Sequence, residues 1–390
     1  MADSCGSLFD YEVKLEIGTA GTYFYHSHVG FQAVTAKGPL IVDSNDDPPF
    51  RYHQERTIML SDFFNETDKK IIDGLTSSPF KWSGETSAIL VNGQSHQATN
   101  STGSCQLASI CIEPGLSYRL RFIGATALSF LSLSIESHDL SIVEADGHYT
   151  KPLNTSFLQI GSGQRYSVLL KAKIKIDVHQ NVSDHVIWLQ NGYDWVQSFP
   201  QSPYLVDIYT GMLDTDGVYR RAISQGHGFD NITRTFPAQI GEVLEIVWQN
   251  QGTFSNGGLD ARPFHAHGRH FYDIGGGDGE YNATANEERL KSSGPVQRDT
   301  SMLYRYREKT TPLAPSGWRA WRVRVTEAGV WMFHCHVLQH MVMGMQTVFI
   351  FGNRNDVMAQ SDPVDAGYLT YGGSAYGNTT HSPVVRHYFD

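Results

Sequence analysis

Five metal-binding side chains fall within twelve residues of this chain, and no other feature constrains its fold and chemistry as strongly. His334, Cys335, His336, His340 and Met345 offer a thiolate, three imidazoles and a thioether. Soft sulfur donors combined with imidazole, with methionine as a weak axial ligand, are typical of an electron-transfer copper site. Zinc is the alternative, but structural zinc sites rarely use a His-Cys-His triplet and need no axial methionine.

The spacing of these residues predicts two sites rather than one. Side chains alternate between the two faces of an extended strand, so His334 and His336 point one way and Cys335 the other. Such a strand can serve two different metal sites, joined through a few covalent bonds. We expect a short helix over residues 337–343 to carry His340 back toward Cys335, and another over residues 31–34.

Two further His-x-His pairs have the same form. One is His26 and His28 near the start of the chain, and the other is His265 and His267 in its last third. A single pair of this kind is weak support for a metal site. Three pairs, each in a β-prone segment that aims both imidazoles at one face, predict six imidazoles converging on a multinuclear metal centre.

With these motifs the chain resembles the multicopper oxidases, and most of all their fungal laccase and ascorbate-oxidase-like branch. The resemblance covers nearly the whole chain, including the segments at residues 38–42 and 235–241. Members of this family bind a type-1 blue copper and a trinuclear cluster of one type-2 and two type-3 coppers. The resemblance therefore implies copper as cofactor, with a phenolic or similar small molecule and O2 as substrates.

The resemblance also assigns nine metal ligands and a route for electrons. Electrons would pass from the type-1 copper through Cys335, the catalytic link, to its neighbours His334 and His336. The ligands by type are Cys335, His340 and Met345 for type 1, His265 for type 2, and His26, His28, His267, His334 and His336 for type 3.

The chain departs from the family pattern in two places. The family's first motif, His-Trp-His-Gly, is absent before His26, so we expect an N-terminally truncated chain that lacks one type-2 and one type-3 histidine. Arg262 stands where the family has a type-1 histidine, and arginine has no lone pair to offer a metal. Arg262 would leave the type-1 copper with fewer ligands, alter the site, or turn away toward an acid such as Asp260 or Asp299. His270 is a weak candidate for a replacement ligand, because strand parity points it away from His265.

The rest of the chain predicts an all-β fold. Helical periodicity is nearly absent, and short β-branched and aromatic runs recur between turn residues. With the resemblance, this predicts serial cupredoxin-like Greek-key β-sandwich domains. The divisions are residues 1–48 for the C-terminal part of domain 1, 50–207 for a copper-free domain 2, 208–355 for a copper-binding domain 3, and 356–390 for a tail. The predicted strands are 22–25, 56–60, 117–123, 131–134, 166–170, 186–189, 243–248, 321–325 and 347–351.

The composition limits the classes of partner that the chain can bind. The net charge of −10 without any basic block gives nucleic-acid binding no support, and no apolar run approaches the roughly 20 residues that span a bilayer. A first domain without its early strands would leave sheet edges open, which predicts self-association. Cys105 and Cys111 could close a short disulfide loop or remain free thiols.

The evidence on localisation is divided. The first residues lack the charged and apolar regions of a secretory signal. Yet the chain has seven Asn-x-Ser/Thr sequons, which favours a secreted glycoprotein, as does the family resemblance. The sequons are at Asn65, Asn100, Asn154, Asn181, Asn231, Asn282 and Asn378.

The functional prediction is a laccase-like oxidase, with a role in fungal pigment or secondary metabolism. The alternative is a degenerate or truncated copper-binding homologue with little activity, which the missing first motif and Arg262 favour. A ferroxidase is a third reading, but it requires an acidic cluster near residues 262, 335 and 340 that the sequence does not show.

Overall fold

The structure is a computed structural model, and its architecture is all-β as predicted. It describes residues 15, 18–95, 108, 110, 112, 117–135, 139–171, 200, 202–224, 228–253 and 256–360. The predicted strand at 186–189, the cysteine pair at 105 and 111, and most of the tail lie outside these residues.

The first strands form a two-stranded antiparallel sheet. Strand β1 (Gly21–His26) pairs along its whole length with β2 (Lys37–Val42), and a 3-10 helix at Gln32–Val34 lies in the connection. The register places His26 opposite Lys37 at one end of the sheet. The His26-Ser27-His28 motif therefore begins at the last residue of a strand and continues into a turn.

The middle of the chain forms a six-stranded sheet and a smaller two-stranded one. The six strands, in chain order, are β3 (Gln54–Phe63), β4 (Ala88–Val91), β5 (Ser117–Gly124), β7 (Leu140–Ala145), β8 (His148–Thr155) and β10 (Arg165–Lys171). They lie in the order β4-β3-β5-β10-β7-β8, with β3 and β5 parallel and the other neighbours antiparallel. The smaller sheet consists of β6 (Leu131–Leu133) and β9 (Leu158–Ile160). One apolar core, with Tyr118, Leu120 and Ile160 at its centre, joins the two sheets.

The last third of the chain forms a β-sandwich. Its five-stranded sheet contains β11 (Thr235–Ala238), β13 (Arg262–Ala266), β16 (Thr300–Leu303), β18 (Gly329–Cys335) and β19 (Gln346–Phe351). Its four-stranded sheet contains β12 (Val243–Gln251), β14 (Phe271–Gly277), β15 (Val296–Arg298) and β17 (Pro315–Arg324). The strand orders are β11-β19-β18-β13-β16 and β12-β17-β14-β15. The sandwich brings β13 and β18, which carry the histidine pairs, side by side.

The two sheets of the sandwich share an aromatic core. The Phe271 and Trp321 rings stack with centroids 3.8 Å apart, and the Trp321 indole N–H donates to Ser301 Oγ at 2.6 Å. Phe333 and Phe351 are fully buried in the same core, which also includes Cys335. The cysteine of the His-Cys-His triplet therefore faces the inside of the sandwich.

Short helices are more numerous than the sequence predicted. The helix expected at 337–343 is present as α5, and five more were missed because each is too short to show a clear period. The helices are α1 (Asp68–Leu75), α2 (Tyr204–Thr210), α3 (Thr215–Ser224), α4 (Ala283–Leu290), α5 (Leu338–Val342) and α6 (Arg354–Met358). No helix among the described residues is long and apolar enough to cross a membrane.

A buried polar network fixes β1 against the six-stranded sheet. The Thr22 backbone N–H and hydroxyl donate to the Glu144 carboxylate at 2.7 and 3.0 Å, and Arg119 donates to the same group at 2.6 Å. Burial raises the pKa of Glu144, but the hydrogen bond from Ser167 and the charge of Arg119 outweigh burial. The net shift of the Glu144 pKa is therefore downward. Because a buried charge is costly unless it is paired, this network favours one position of β1 and hence of His26.

Truncating the sandwich core should destabilise the protein strongly. Phe351 is fully buried between the two sheets, so Phe351→Ala is expected to lower the free energy of unfolding by about 3–5 kcal/mol. Tyr272→Ala is the control, because Tyr272 lies on β14 with its side chain 47% exposed. Chemical denaturation followed by far-ultraviolet circular dichroism measures both, and an equal loss in the two variants would contradict the assigned core.

Candidate metal centre

The register of β13 with β18 divides the motif residues between two faces. His265 lies opposite His334, and Phe264 lies opposite Cys335. Because side chains alternate along a strand, the two histidines leave the sheet on one face, while Phe264 and Cys335 enter the sandwich core on the other. The structure therefore builds two adjoining sites on opposite faces of one strand pair.

Six imidazoles gather on the outer face. Ring centroids of neighbouring histidines lie 4.7 Å apart for His26–His28 and for His28–His267, and 5.0 Å apart for His28–His334 and for His26–His336. Two strands of the sandwich and the end of β1 thus supply one cluster. Its members are His26, His28, His265, His267, His334 and His336.

Hydrogen bonds at Nδ1 orient four of these rings. His26 and His334 each have Nδ1 2.9 Å from a backbone carbonyl oxygen, those of Ser27 and Cys335. A neutral imidazole that donates from Nδ1 keeps its lone pair on Nε2, which is how metal-binding histidines are commonly held. The other two contacts are His336 Nδ1 to Ser162 Oγ and His265 Nδ1 to Thr300 Oγ1, each 2.9 Å.

Burial lowers the pKa of five of these imidazoles, which keeps them neutral and ready to bind a cation. It lowers the pKa of His28 to about 2, with the nearby His334 ring adding to the shift, and it lowers the pKa values of His267, His334 and His336 well below the usual range. His28 Nε2 is buried without a hydrogen-bond partner. Ligand atoms of His28, His267 and His334 lie within 4.8 Å of one another. Neutral rings, an orphaned buried nitrogen and imidazole donors together fit copper.

A buried ion pair supports the His265 side of the cluster. Arg165 binds Asp299 through two hydrogen bonds of 2.8 Å, and His265 Nδ1 lies 3.0 Å from the Asp299 carbonyl oxygen. Burial raises the pKa of Asp299, but the Arg165 charge and the hydrogen bonds from His265 and Arg165 hold it well below the usual range. Asp299 is therefore a carboxylate behind a histidine of the cluster, and its partner is Arg165, not Arg262.

Sequence reasoning missed the residues that hold His336. Ser162 contacts His336 Nδ1, and Gly163 has a φ of 84°, a conformation that suits glycine. A Cβ on Gly163 would lie 2.7 Å from His336 Cδ2, so only glycine allows this approach. The Gly-Ser-Gly turn at 161–163 is a turn signal in the sequence, but nothing in it points to a residue far along the chain.

The inner face carries the thiol site. Cys335 Sγ lies 3.5 Å from His340 Nδ1, and the Cys335 backbone N–H donates to the Met345 carbonyl at 3.1 Å. Burial raises the pKa of Cys335 to about 12 and lowers that of His340 to about 4. Without metal the site is thus a neutral thiol beside a neutral imidazole, and a cation must displace the thiol proton on binding. Cys335, His340 and Met345 are buried together on this face and have the donor types that a blue-copper site uses.

Arg262 stays inside the sandwich on the same face as Cys335. It is 5% exposed and opens β13, two residues before Phe264, the cross-strand partner of Cys335. Burial lowers the pKa of Arg262 to about 10, while Asp260 and Cys335 act in the opposite direction, so Arg262 remains protonated at neutral pH. The guanidinium does not turn out to solvent, and the fourth donor of a blue-copper set is not supplied from position 262.

His270 lies away from the six imidazoles. Its ring centroid is 4.0 Å from that of His148, and its Nε2 contacts the Asp146 carbonyl at 2.8 Å. It also lies 3.8 Å from Asp299. This position suits a role in packing and in the charge network behind His265 rather than direct ligation.

The fold and the two faces define an all-β protein with a cluster of six histidines whose chemistry fits copper. Family models described as multicopper oxidase match residues 54–185 and 199–355. The chain belongs to the multicopper oxidase family, and it is a copper-dependent oxidoreductase that uses O2. The alternative of a degenerate homologue is not favoured by these relationships.

Two curated relatives illustrate the match. The multicopper oxidase aurL2 of Gibberella zeae is 38% identical over 98% of this chain and 81% of its own length. Laccase-like multicopper oxidase 1 of Thermothelomyces thermophilus is 35% identical over 99% of this chain and 80% of its own length.

Solved structures show the same fold. The L499M mutant of the laccase from B. aclada superposes with a TM-score of 0.68 at 18% identity, covering 90% of this chain and 73% of the laccase. Fet3p, a multicopper oxidase that functions in iron import, superposes with a TM-score of 0.64 at 20% identity, covering 92% of this chain and 78% of Fet3p.

The metal-free protein should lose stability as the pH falls from about 6.5 to 5, because histidines of the unfolded chain take up protons near 6.5. The His28 ring does not, since its folded pKa is about 2. The unfolded state then binds more protons, and each such histidine lowers the free energy of unfolding by up to about 1.4 kcal/mol per pH unit. The carboxylates with lowered pKa values, Glu144 and Asp299, lose their contribution only at lower pH, near 4.

Denaturation of the chelator-treated protein across this pH range measures the effect. His28→Gln should have a shallower slope than wild type, because it removes one such histidine from the unfolded chain. An equal slope in the two proteins would show that His28 is protonated as easily in the folded as in the unfolded chain.

Proposed function

We propose that this oxidase removes single electrons from phenolic or similar small molecules and reduces O2 to water. The observation that carries the proposal is the division of β18, which places Cys335 on one face between His334 and His336 on the other. An electron that enters at the thiolate side can reach the cluster through the covalent bonds of neighbouring residues. A place in fungal pigment or secondary metabolism is part of the proposal, supported by the resemblance to fungal oxidases.

We propose the six clustered histidines as ligands of a multinuclear copper site, and Cys335, His340 and Met345 as ligands of a separate electron-entry copper. When bound, copper supplies the one-electron redox chemistry. Burial keeps five of the six cluster rings neutral, and contacts at Nδ1 orient four of the rings. The Asp299 carboxylate lies behind His265.

The substrate side of the entry site includes an acid. Asp260 Oδ2 lies 3.4 Å from His340 Nε2, and its side chain is 38% exposed, whereas His340 is 1% exposed. A phenol that loses one electron becomes far more acidic and gives up its hydroxyl proton. Asp260 is placed to accept that proton beside the imidazole edge through which the electron leaves.

We propose a first domain ending near residue 48, a copper-free domain over 50–207 and a copper-binding domain over 208–355. Every histidine of the cluster except His26 and His28 would then come from the third domain. We also propose that the β1–β2 sheet mediates self-association, since Tyr25 and Leu40 on these strands are 61% and 42% exposed.

Secretion is proposed on the sequons. All four sequon asparagines among the described residues, Asn65, Asn154, Asn231 and Asn282, are exposed. The net charge of −10 favours neither nucleic acid nor an anionic membrane surface as a partner.

Removing one cluster ligand should lower activity strongly without unfolding the protein. His267→Ala is expected to lower copper-dependent O2 uptake with a phenolic substrate by about 100-fold or more, since even outer-shell changes at metal sites cost about 10–100-fold. His53→Ala, at an exposed histidine, is the control. Oxygen-electrode assays with matched copper analysis test this, and wild-type uptake by His267→Ala would refute the assigned cluster.

Glycosylation tests the localisation. Expressed behind a secretory leader in a fungal host, the protein should carry N-linked glycans at the four exposed sequons, so that endoglycosidase treatment lowers its mass. Substituting these four asparagines by glutamine should reduce the shift. A secreted wild-type protein whose mass is insensitive to the enzyme would count against the proposal.

A further inference from the structure

We propose that Arg262 sets the reduction potential of the copper bound by Cys335, His340 and Met345, making this centre a stronger oxidant. The inference rests on the proposed function, because it requires copper at Cys335. Arg262 would then determine which substrates the enzyme can oxidise, although it donates no ligand atom itself.

The first support is position. Arg262, Phe264 and Ala266 alternate with His265 and His267 along β13, so Arg262 shares the inner face with Cys335. Across the other edge of β13, Arg262 lies opposite Leu303, a fully buried residue. Its charge is thus buried on the face of the sheet that carries Cys335, rather than at the surface.

The second support is the charge of the two redox states. Copper(II) bound to the Cys335 thiolate leaves one net positive charge, and copper(I) leaves none. A fixed positive charge repels the oxidised state and has little effect on the neutral reduced state. Burial of Arg262 to 5% exposure limits screening by water, so the repulsion is felt more strongly than between surface charges. The reduced state is therefore favoured and the potential rises.

The third support is the number of donors. Arginine has no lone pair, so the ligands proposed above are limited to three, Cys335, His340 and Met345, two of which bind through sulfur. Soft ligands in low coordination suit copper(I) better than copper(II). The missing donor and the added positive charge therefore both raise the reduction potential, and the experiment has to separate the two effects.

Asp260 opposes the effect but is weaker. Its carboxylate lies 3.4 Å from His340 Nε2 and would stabilise the oxidised state. With 38% of the side chain exposed, it is screened by solvent far more than Arg262. The two residues thus form a pair of opposite sign with unequal strength, which gives two variants with opposite expected shifts.

The consequence is a difference in substrate range. A stronger oxidant at the entry site accepts electrons from more electron-poor phenols, while transfer onward to the histidine cluster becomes less downhill. Replacing Arg262 by an uncharged side chain should narrow the range of phenols oxidised.

The test compares wild type, Arg262→Leu, Arg262→His and Asp260→Asn, each loaded with copper. Redox titration monitors the visible absorption of the copper(II)–thiolate bond, and copper X-ray absorption verifies a copper–sulfur bond. Arg262→Leu removes the charge without adding a donor. At one applied potential, its copper(II)-to-copper(I) ratio should be at least tenfold higher than in wild type, equivalent to about 59 mV for a one-electron couple.

The remaining two variants have expected reduction potentials at the two ends of the series. Arg262→His also restores a donor and should have the lowest potential, whereas Asp260→Asn should have a potential above that of wild type. The proposal is overturned if wild type and Arg262→Leu have the same potential, if Asp260→Asn shifts it downward, or if wild type has no copper–sulfur bond. Failure of the proposed function would appear separately, as loss of phenol-dependent O2 uptake in wild type with copper bound.

Discussion

The pairing of β13 with β18 is the constraint on which the rest of the site depends. It sets His265 against His334 and Phe264 against Cys335, so one register fixes both faces at once. A slip by one residue would exchange the faces, burying imidazoles in the aromatic core and exposing the thiol. The fully buried Phe333 and Phe351 oppose such a slip, since they belong on the core face. The sandwich core thereby specifies the metal geometry.

The cluster also depends on buried charges beyond the sandwich. Glu144 fixes β1, and Asp299 with Arg165 supports His265, so the histidines from the two ends of the chain meet through paired ions. Such pairs add little net stability, but leaving one member unpaired is costly, and this favours a single arrangement. Within the histidine cluster, His28 Nε2 is buried without a hydrogen-bond partner. A cation would satisfy that atom and its neighbours together.

The sequence predicted the all-β class and the pairing of functional residues because both follow from local patterns. Strand parity alone placed His334 and His336 apart from Cys335, and the position of His340 on a short helix followed from its spacing. The supports of the site could not be predicted in this way. Ser162 and Gly163 contact His336 from more than 170 positions earlier in the chain. Asp299 pairs with Arg165 and not with Arg262, because the register of β16 places Asp299 behind His265. Short helices such as α2 and α6 are fixed by contacts with the sandwich rather than by their own periodicity.

Anomalous X-ray scattering at the copper edge, on crystals of the copper-loaded protein, tests the central claim most directly. Two separate groups of copper peaks are predicted, one among the imidazoles on the outer face of β13 and β18, and one bonded to Cys335 Sγ on the inner face. Copper at only one face, or copper bound away from both, would contradict the division of this strand pair into two metal sites.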